Sequence, residues 1–226
     1  MPALHACLSL GYGAARALRN GAFALSVVIA PAFAEPVTVV ALGDSLTQGY
    51  GLPDVQGFVP QLQGWLDAQG ADAKVVNAGV SGDTTAGGLA RTDWALTPDV
   101  DALIVNLGGN DMLRGIDPAS SRANLDAILA KAKARNLPVL LVGLRAPGNY
   151  GPEFKEAFDA MYPDLAAQYG VDLELNFFVP LIDQSTRRLN PADMQSDGIH
   201  PSAAGVAKVV AALGPKVLTL LAKVPG

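Results

Sequence analysis

From residue 37 onward, short apolar runs alternate with longer stretches of mixed polarity. The apolar runs lie at 37–42 (VTVVAL), 73–78 (AKVVNA), 101–107 (DALIVNL), 138–144 (PVLLVGL) and 172–178 (DLELNFF). The first, third and fourth are nearly continuous valine, isoleucine and leucine, the pattern of strands buried on both faces of a parallel sheet. The stretches between them predict helices around 58–68, 84–95, 118–135 and 152–169, with a last one over about 202–223. Helix signals support these bounds. Asp117-Pro118 pairs a cap with proline at the first helical position, Asn136 closes that helix before Pro138, and Gly151-Pro152-Glu153 opens the next. Pro201-Ser202 starts the final helix, and Gly214-Pro215 is expected to kink it.

Strand and helix alternating at this spacing predict a three-layer α/β fold with a five-stranded parallel sheet and right-handed crossovers. There are no repeats, low-complexity segments or interdomain linkers, and 226 residues fit one compact domain. The last helix carries Lys208, Lys216 and Lys223 among alanine, valine and leucine, and is expected to pack on the sheet rather than lie on a membrane.

The first 34 residues follow another pattern. Arg16 and Arg19 precede the apolar run 21–30, and Ala32 and Ala34 present small residues beyond it. A basic region, a short apolar region and an A-x-A site predict a secretory signal peptide over 1–34, cut after Ala34, with a mature domain over 35–226. The apolar run is shorter than the ~20 residues a membrane span needs. A periplasmic or secreted protein is therefore expected, without stable membrane insertion.

Cleavage there changes the available chemistry. Cys7 and His5 leave, so the mature chain has no cysteine and His200 is its one histidine. Loss of Arg16 and Arg19 moves the formal charge from −5 to −7. An acidic chain without basic runs is a poor nucleic-acid binder. Without cysteine, and with one histidine, a zinc site is disfavoured and no metal is expected. Dinucleotide and P-loop glycine motifs are missing after the first strand.

In an open parallel sheet, ligands gather beyond the carboxyl ends of the strands. Gly43-Asp44-Ser45 follows the first strand, NAGVSGDTTAGG (77–88) the second, GGND (108–111) the third and RAPGNYG (145–151) the fourth, while SDGIHP (196–201) precedes the last helix. Taken singly, each is an ordinary turn or cap. His200 alone suits a helix entry, and Asn110 suits a turn. Together they offer a nucleophile, Ser45, a base, His200, and a carboxylate, Asp197, close enough to orient that base. Acyl transfer also needs donors for the developing oxyanion, and the Ser45 N–H, the Gly79 N–H and the Asn110 amide are the candidates.

This combination resembles the SGNH (GDSL) hydrolase family. GDSL at 43–46 resembles its nucleophile block, Gly79 in NAGVSGDT its second, Asn110 in GGND its third, and DGIHP its last. GDSLTQGYGL, NAGVSGDTTAGGLARTDW, GGNDMLRGIDP and RAPGNYGPEFKEAFDAMYPDLA are similar to the bacterial thioesterase I/protease I/lysophospholipase and arylesterase branch. The resemblance implies a single-domain flavodoxin-like fold, a periplasmic setting and hydrolysis of several acyl substrates.

The function expected is a serine esterase or thioesterase acting through an acyl-enzyme on Ser45, without a cofactor. Its partner would be a small acyl ester, thioester or lysophospholipid, and a monomer is expected. Met112, Leu113, Ile116 and Tyr150 are the expected apolar contacts of the acyl group. The alternatives are a carbohydrate O-deacetylase of the same fold and a non-catalytic periplasmic binding protein.

Overall fold

The computed structural model describes residues 35–225. The expected signal peptide lies outside the described residues. Five parallel strands form one sheet in the order β2-β1-β3-β4-β5: β1 (Val37–Gly43), β2 (Ala73–Gly79), β3 (Ala102–Asn106), β4 (Val139–Val142) and β5 (Asp172–Glu174). Among the described residues seven α-helices accompany them: α1 (Ser45–Gln48), α2 (Phe58–Ala68), α3 (Thr85–Ala95), α4 (Gly109–Leu113), α5 (Pro118–Ala134), α6 (Pro152–Tyr169) and α7 (Ala203–Leu221). Helices α2 and α7 pack on each other, while α5 packs against both α3 and α6.

Burial follows strand position. Every residue of β3 and β4 is buried, as are Val39 to Gly43 in β1, because these strands have neighbours on both sides and helices on both faces. The edge strands β2 and β5 are only partly covered. Helix α7 buries Val206, Val209, Val210, Leu213, Val217 and Leu220, so its apolar face belongs to the core as expected. It continues through Pro215 as one helix.

Helix starts are fixed by local chemistry. The side chains of Thr84, Asp117 and Ser202 accept hydrogen bonds from the amides of Gly87, Ala119 and Gly205. Asn136 adopts a left-handed φ of 55° after α5, and Gly170 does so at 66° after α6.

The fifth strand is shorter than the apolar run 172–178 predicts. Asn176 stops it: its carboxamide oxygen accepts from the Phe178 amide and its carbonyl from the Val179 amide. The chain then turns through a 3-10 segment, Val179–Leu181, and Phe177 enters the core edge-on to Phe58 at 6.0 Å.

The register sets up the site. Gly43, the last residue of β1, lies opposite Gly79 of β2 and Asn106 of β3, so three strands end level. The loops that follow them leave from one edge.

Candidate active site

Ser45 begins α1 immediately beyond β1. Its turn is closed by Asp44, whose Oδ1 accepts from the Leu46 amide at 3.0 Å, and by Gly49, whose φ of 89° ends the helix after one turn. Gly43 has no room for a side chain, because a Cβ would run into Thr47 and the Asn106 carbonyl. The nucleophile candidate thus sits on a short, sharply bounded turn.

His200 comes from the loop ahead of α7, 155 positions later in the chain, and its Nε2 lies 2.8 Å from Ser45 Oγ. The other ring nitrogen, Nδ1, lies 2.6 Å from Asp197 Oδ2. Asp197 Oδ1 accepts from the amides of Ile199 and His200 at 2.9 and 3.0 Å. The His200 side chain, followed by these backbone donors, lowers the Asp197 carboxyl from 3.8 to about 2. An ionised acceptor assigns the proton to Nδ1 and leaves Nε2 as the acceptor for the serine hydroxyl.

The third loop is anchored from below. Asp111 is buried, and its carboxylate accepts from the Thr85 amide, the Thr85 hydroxyl and the Ser121 hydroxyl at 2.8, 2.6 and 2.8 Å. This joins α4 to the starts of α3 and α5. The neighbouring Asn110 then donates its amide to the Asp83 carbonyl at 2.9 Å, with Asp44 Oδ2 at 3.5 Å. Asp44 is itself 2% exposed, and burial raises its carboxyl from 3.8 to about 6 against the opposing pull of the Leu46 amide and His200.

Gly79 does not take the place expected of it. Its N–H donates to Asn77 Oδ1 at 2.9 Å, and a side chain there would meet the Gln48 backbone, so it packs β2 against α1. Gly82, three residues on, lines the cavity beside Ser45 and Asn110. Neither the Gly82 N–H nor the Ser45 N–H donates to another group among the described residues.

The cavity over Ser45 has a volume of about 570 Å³. Met112 and Leu113 line it, joined by Leu46, Tyr50, Leu144, Pro147 and Phe178. Ile116 and Tyr150 are not part of its wall. Tyr150 instead donates to the Leu113 carbonyl at 3.1 Å and packs on Phe154 with ring centroids 5.0 Å apart. It supports the wall from behind. Gly109 also lines the cavity, where a Cβ would come within 3.0 Å of Asp44 Oδ2.

Sequence reasoning missed Arg91. From α3 its guanidinium donates to Asp83 Oδ2 at 2.6 Å, to the Ala78 carbonyl at 2.7 Å and to the Gly43 carbonyl at 2.7 Å. The available signal was an arginine placed among the alanines, glycines and threonines of that helix.

The profile of the GDSL-like Lipase/Acylhydrolase family matches residues 41–208. The chain is 40% identical over 205 residues to Esterase TesA of Pseudomonas aeruginosa, covering 90% of this chain and 98% of that one. It is 41% identical over 166 residues to Thioesterase 1/protease 1/lysophospholipase L1 of Escherichia coli K12, covering 73% and 76%. Among solved structures it superposes on TesA with a TM-score of 0.74 at 39% identity, over 81% of this chain and 99% of that one. AlinE4, an SGNH-hydrolase family esterase, gives 0.68 at 41% identity, over 85% and 99%. With the GDSL turn at a strand end, matched along most of the chain, the protein belongs to the GDSL-like lipase/acylhydrolase family.

Proposed function

We propose that the chain hydrolyses carboxylic esters and thioesters through an acyl-enzyme on Ser45, with His200 as base and Asp197 as its orienter. The observation that carries this reading is the continuous chain of contacts Ser45 Oγ, His200 Nε2, His200 Nδ1, Asp197 Oδ2, with links of 2.8 and 2.6 Å. In the first step Ser45 Oγ attacks the acyl carbonyl carbon while its proton passes to His200 Nε2. The carbonyl oxygen gains negative charge and is received by the N–H groups of Ser45 and Gly82 and the Asn110 amide. Gly82 takes the role first expected of Gly79, since it lines the cavity and its N–H has no partner among the described residues. Collapse expels the alcohol or thiol, which takes the proton from His200. Water then repeats the sequence and frees the acid.

No cofactor enters these steps. The apolar wall of Leu46, Met112, Leu113, Leu144 and Phe178 suits an acyl chain longer than acetyl. The relatives named esterase and thioesterase/lysophospholipase support an acyl ester, thioester or lysophospholipid as substrate. The A-x-A site supports export to the periplasm or beyond after cleavage at Ala34. Every proposed group comes from one chain, which suits a monomer.

The test is hydrolysis of p-nitrophenyl acetate through dodecanoate by residues 35–226, with Ser45→Ala beside it. Cleavage of mid-length chains that disappears in Ser45→Ala is the expected result. Cleavage confined to acetate would favour an O-deacetylase, and an inert wild type would favour a binding protein.

A further inference from the structure

Tyr50 touches both halves of the catalytic pair. Its ring lies against the His200 imidazole with centroids 4.7 Å apart and a tilt of 39°. Its backbone N–H donates to the Ser45 carbonyl at 3.1 Å. Its carbonyl accepts from Gln195 Nε2 at 2.8 Å, and the same nitrogen donates to the Pro201 carbonyl at 2.9 Å. The Gln195 amide in turn donates to the His200 carbonyl at 2.7 Å. Gly51, at a φ of 75°, lets the Tyr50 turn close onto the Gln195 side chain, which occupies the space a Cβ would need.

We infer that Tyr50 is a positioning residue for the base: its peptide, locked between Ser45 and Gln195, holds its ring against His200 and favours the imidazolium formed during turnover. The inference rests on reading Ser45 and His200 as nucleophile and base. Those residues stand 155 positions apart and meet directly through the Nε2–Oγ contact of 2.8 Å. Tyr50 and Gln195 supply a second connection across that gap, independent of the Ser45 hydroxyl. The negative face of an aromatic ring attracts a cation. His200 becomes cationic when it takes the serine proton, so the ring contact strengthens as the reaction proceeds. An interaction stronger in the transition state than in the ground state raises kcat rather than lowering KM. The ring accomplishes this without its hydroxyl, which makes no hydrogen bond among the described residues.

The experiment compares Tyr50→Leu, Tyr50→Phe, Gln195→Leu and Ser45→Ala with wild type on p-nitrophenyl esters of several chain lengths. Rates of the variants that keep Ser45 are normalised to active sites titrated with a fluorophosphonate, so unfolded molecules do not count, and Ser45→Ala is compared at equal protein concentration. Tyr50→Leu is expected to lose about tenfold in kcat at every chain length with KM little changed. Tyr50→Phe should stay near wild type, and Gln195→Leu, outside the cavity wall, should share the loss in kcat. Tyr50 also lines the cavity, so a defect seen only in KM and growing with chain length would make that wall contact its sole role and overturn the inference. So would a wild-type kcat in Tyr50→Leu, or an equal loss in Tyr50→Phe. Activity surviving in Ser45→Ala would instead remove the underlying assignment of the nucleophile.

Discussion

Arg91 Nη2 donates to the carbonyl oxygen of Gly43 at 2.7 Å, two residues before Ser45. Through Nη1 and Nε the same largely buried guanidinium holds Ala78, near the end of β2, and the carboxylate of Asp83. One cation therefore ties two strand ends to the loop that carries Gly82. Arg91→Met is expected to lower kcat by about ten- to a hundredfold, more than it changes KM, by loosening the donors around the oxyanion. Arg91→Lys should not restore it, because an ammonium lacks the planar fork that reaches three acceptors in different directions. Steady-state kinetics on a short ester checks both, and a wild-type kcat in Arg91→Lys would refute the clamp.

Replacing Asp197 by asparagine removes the charge that holds the Nδ1 proton and allows the wrong imidazole tautomer. A loss of about a thousandfold or more in kcat is expected. The carboxyl falls from 3.8 to about 2 on folding, so its contribution to stability is present above pH 3.8 and fades as pH drops through 2. Acid loss of activity above pH 4 must then come from other groups. Titration of the Asp197 carboxyl above pH 4, followed by carboxyl-carbon NMR, would contradict this.

Asn110→Ala should lower kcat by about a hundredfold to a thousandfold with little effect on KM, as for loss of one oxyanion donor. Gly79→Ala should act differently. It crowds the Gln48 backbone and is expected to lower the unfolding temperature. Paired kinetics and thermal melts of the two variants separate chemistry from packing.

Asp44 binds its proton more tightly folded, at about 6, than unfolded, at 3.8. Its favourable contribution is complete below pH 3.8 and is lost as pH rises through 6. The difference amounts to about 3 kcal/mol. Asp44→Asn keeps an acceptor for the Leu46 amide and removes this dependence. Relative to wild type, the variant is expected to gain stability at pH 8 compared with pH 4.5, measured by thermal unfolding at both. Parallel stability curves for the two proteins would contradict the assignment.

The helices at Phe58–Ala68 and Pro152–Tyr169 were legible to the residue, the second because Gly151-Pro152 sets its start locally. The three central strands were legible in their continuous apolar runs. The end of β5 was not, because Asn176 ends it with side-chain and main-chain bonds that an apolar run does not reveal. Ser45, Asp197 and His200 stood out as candidates by chemical type, and the structure brings them into contact. The choice between Gly79 and Gly82 depended on a single side-chain bond from Asn77, an Asx turn readable in Asn77-Ala78-Gly79 only once its consequence for the N–H is considered. Arg91 and Tyr50 act across the fold, on partners far away in sequence. Only tertiary packing discloses them.

The span between Ser45 and His200 has a consequence for the life of the molecule. A chain made from its N-terminus carries its serine through most of its synthesis with no imidazole to draw off the proton, and an isolated serine hydroxyl is a weak nucleophile. With His200 as the proposed base, hydrolytic power arrives only with the loop that precedes α7. A fragment that stops short of that loop is chemically silent, however well its first strands have formed. Catalysis is thus a late signal, given only when both ends of the fold have met.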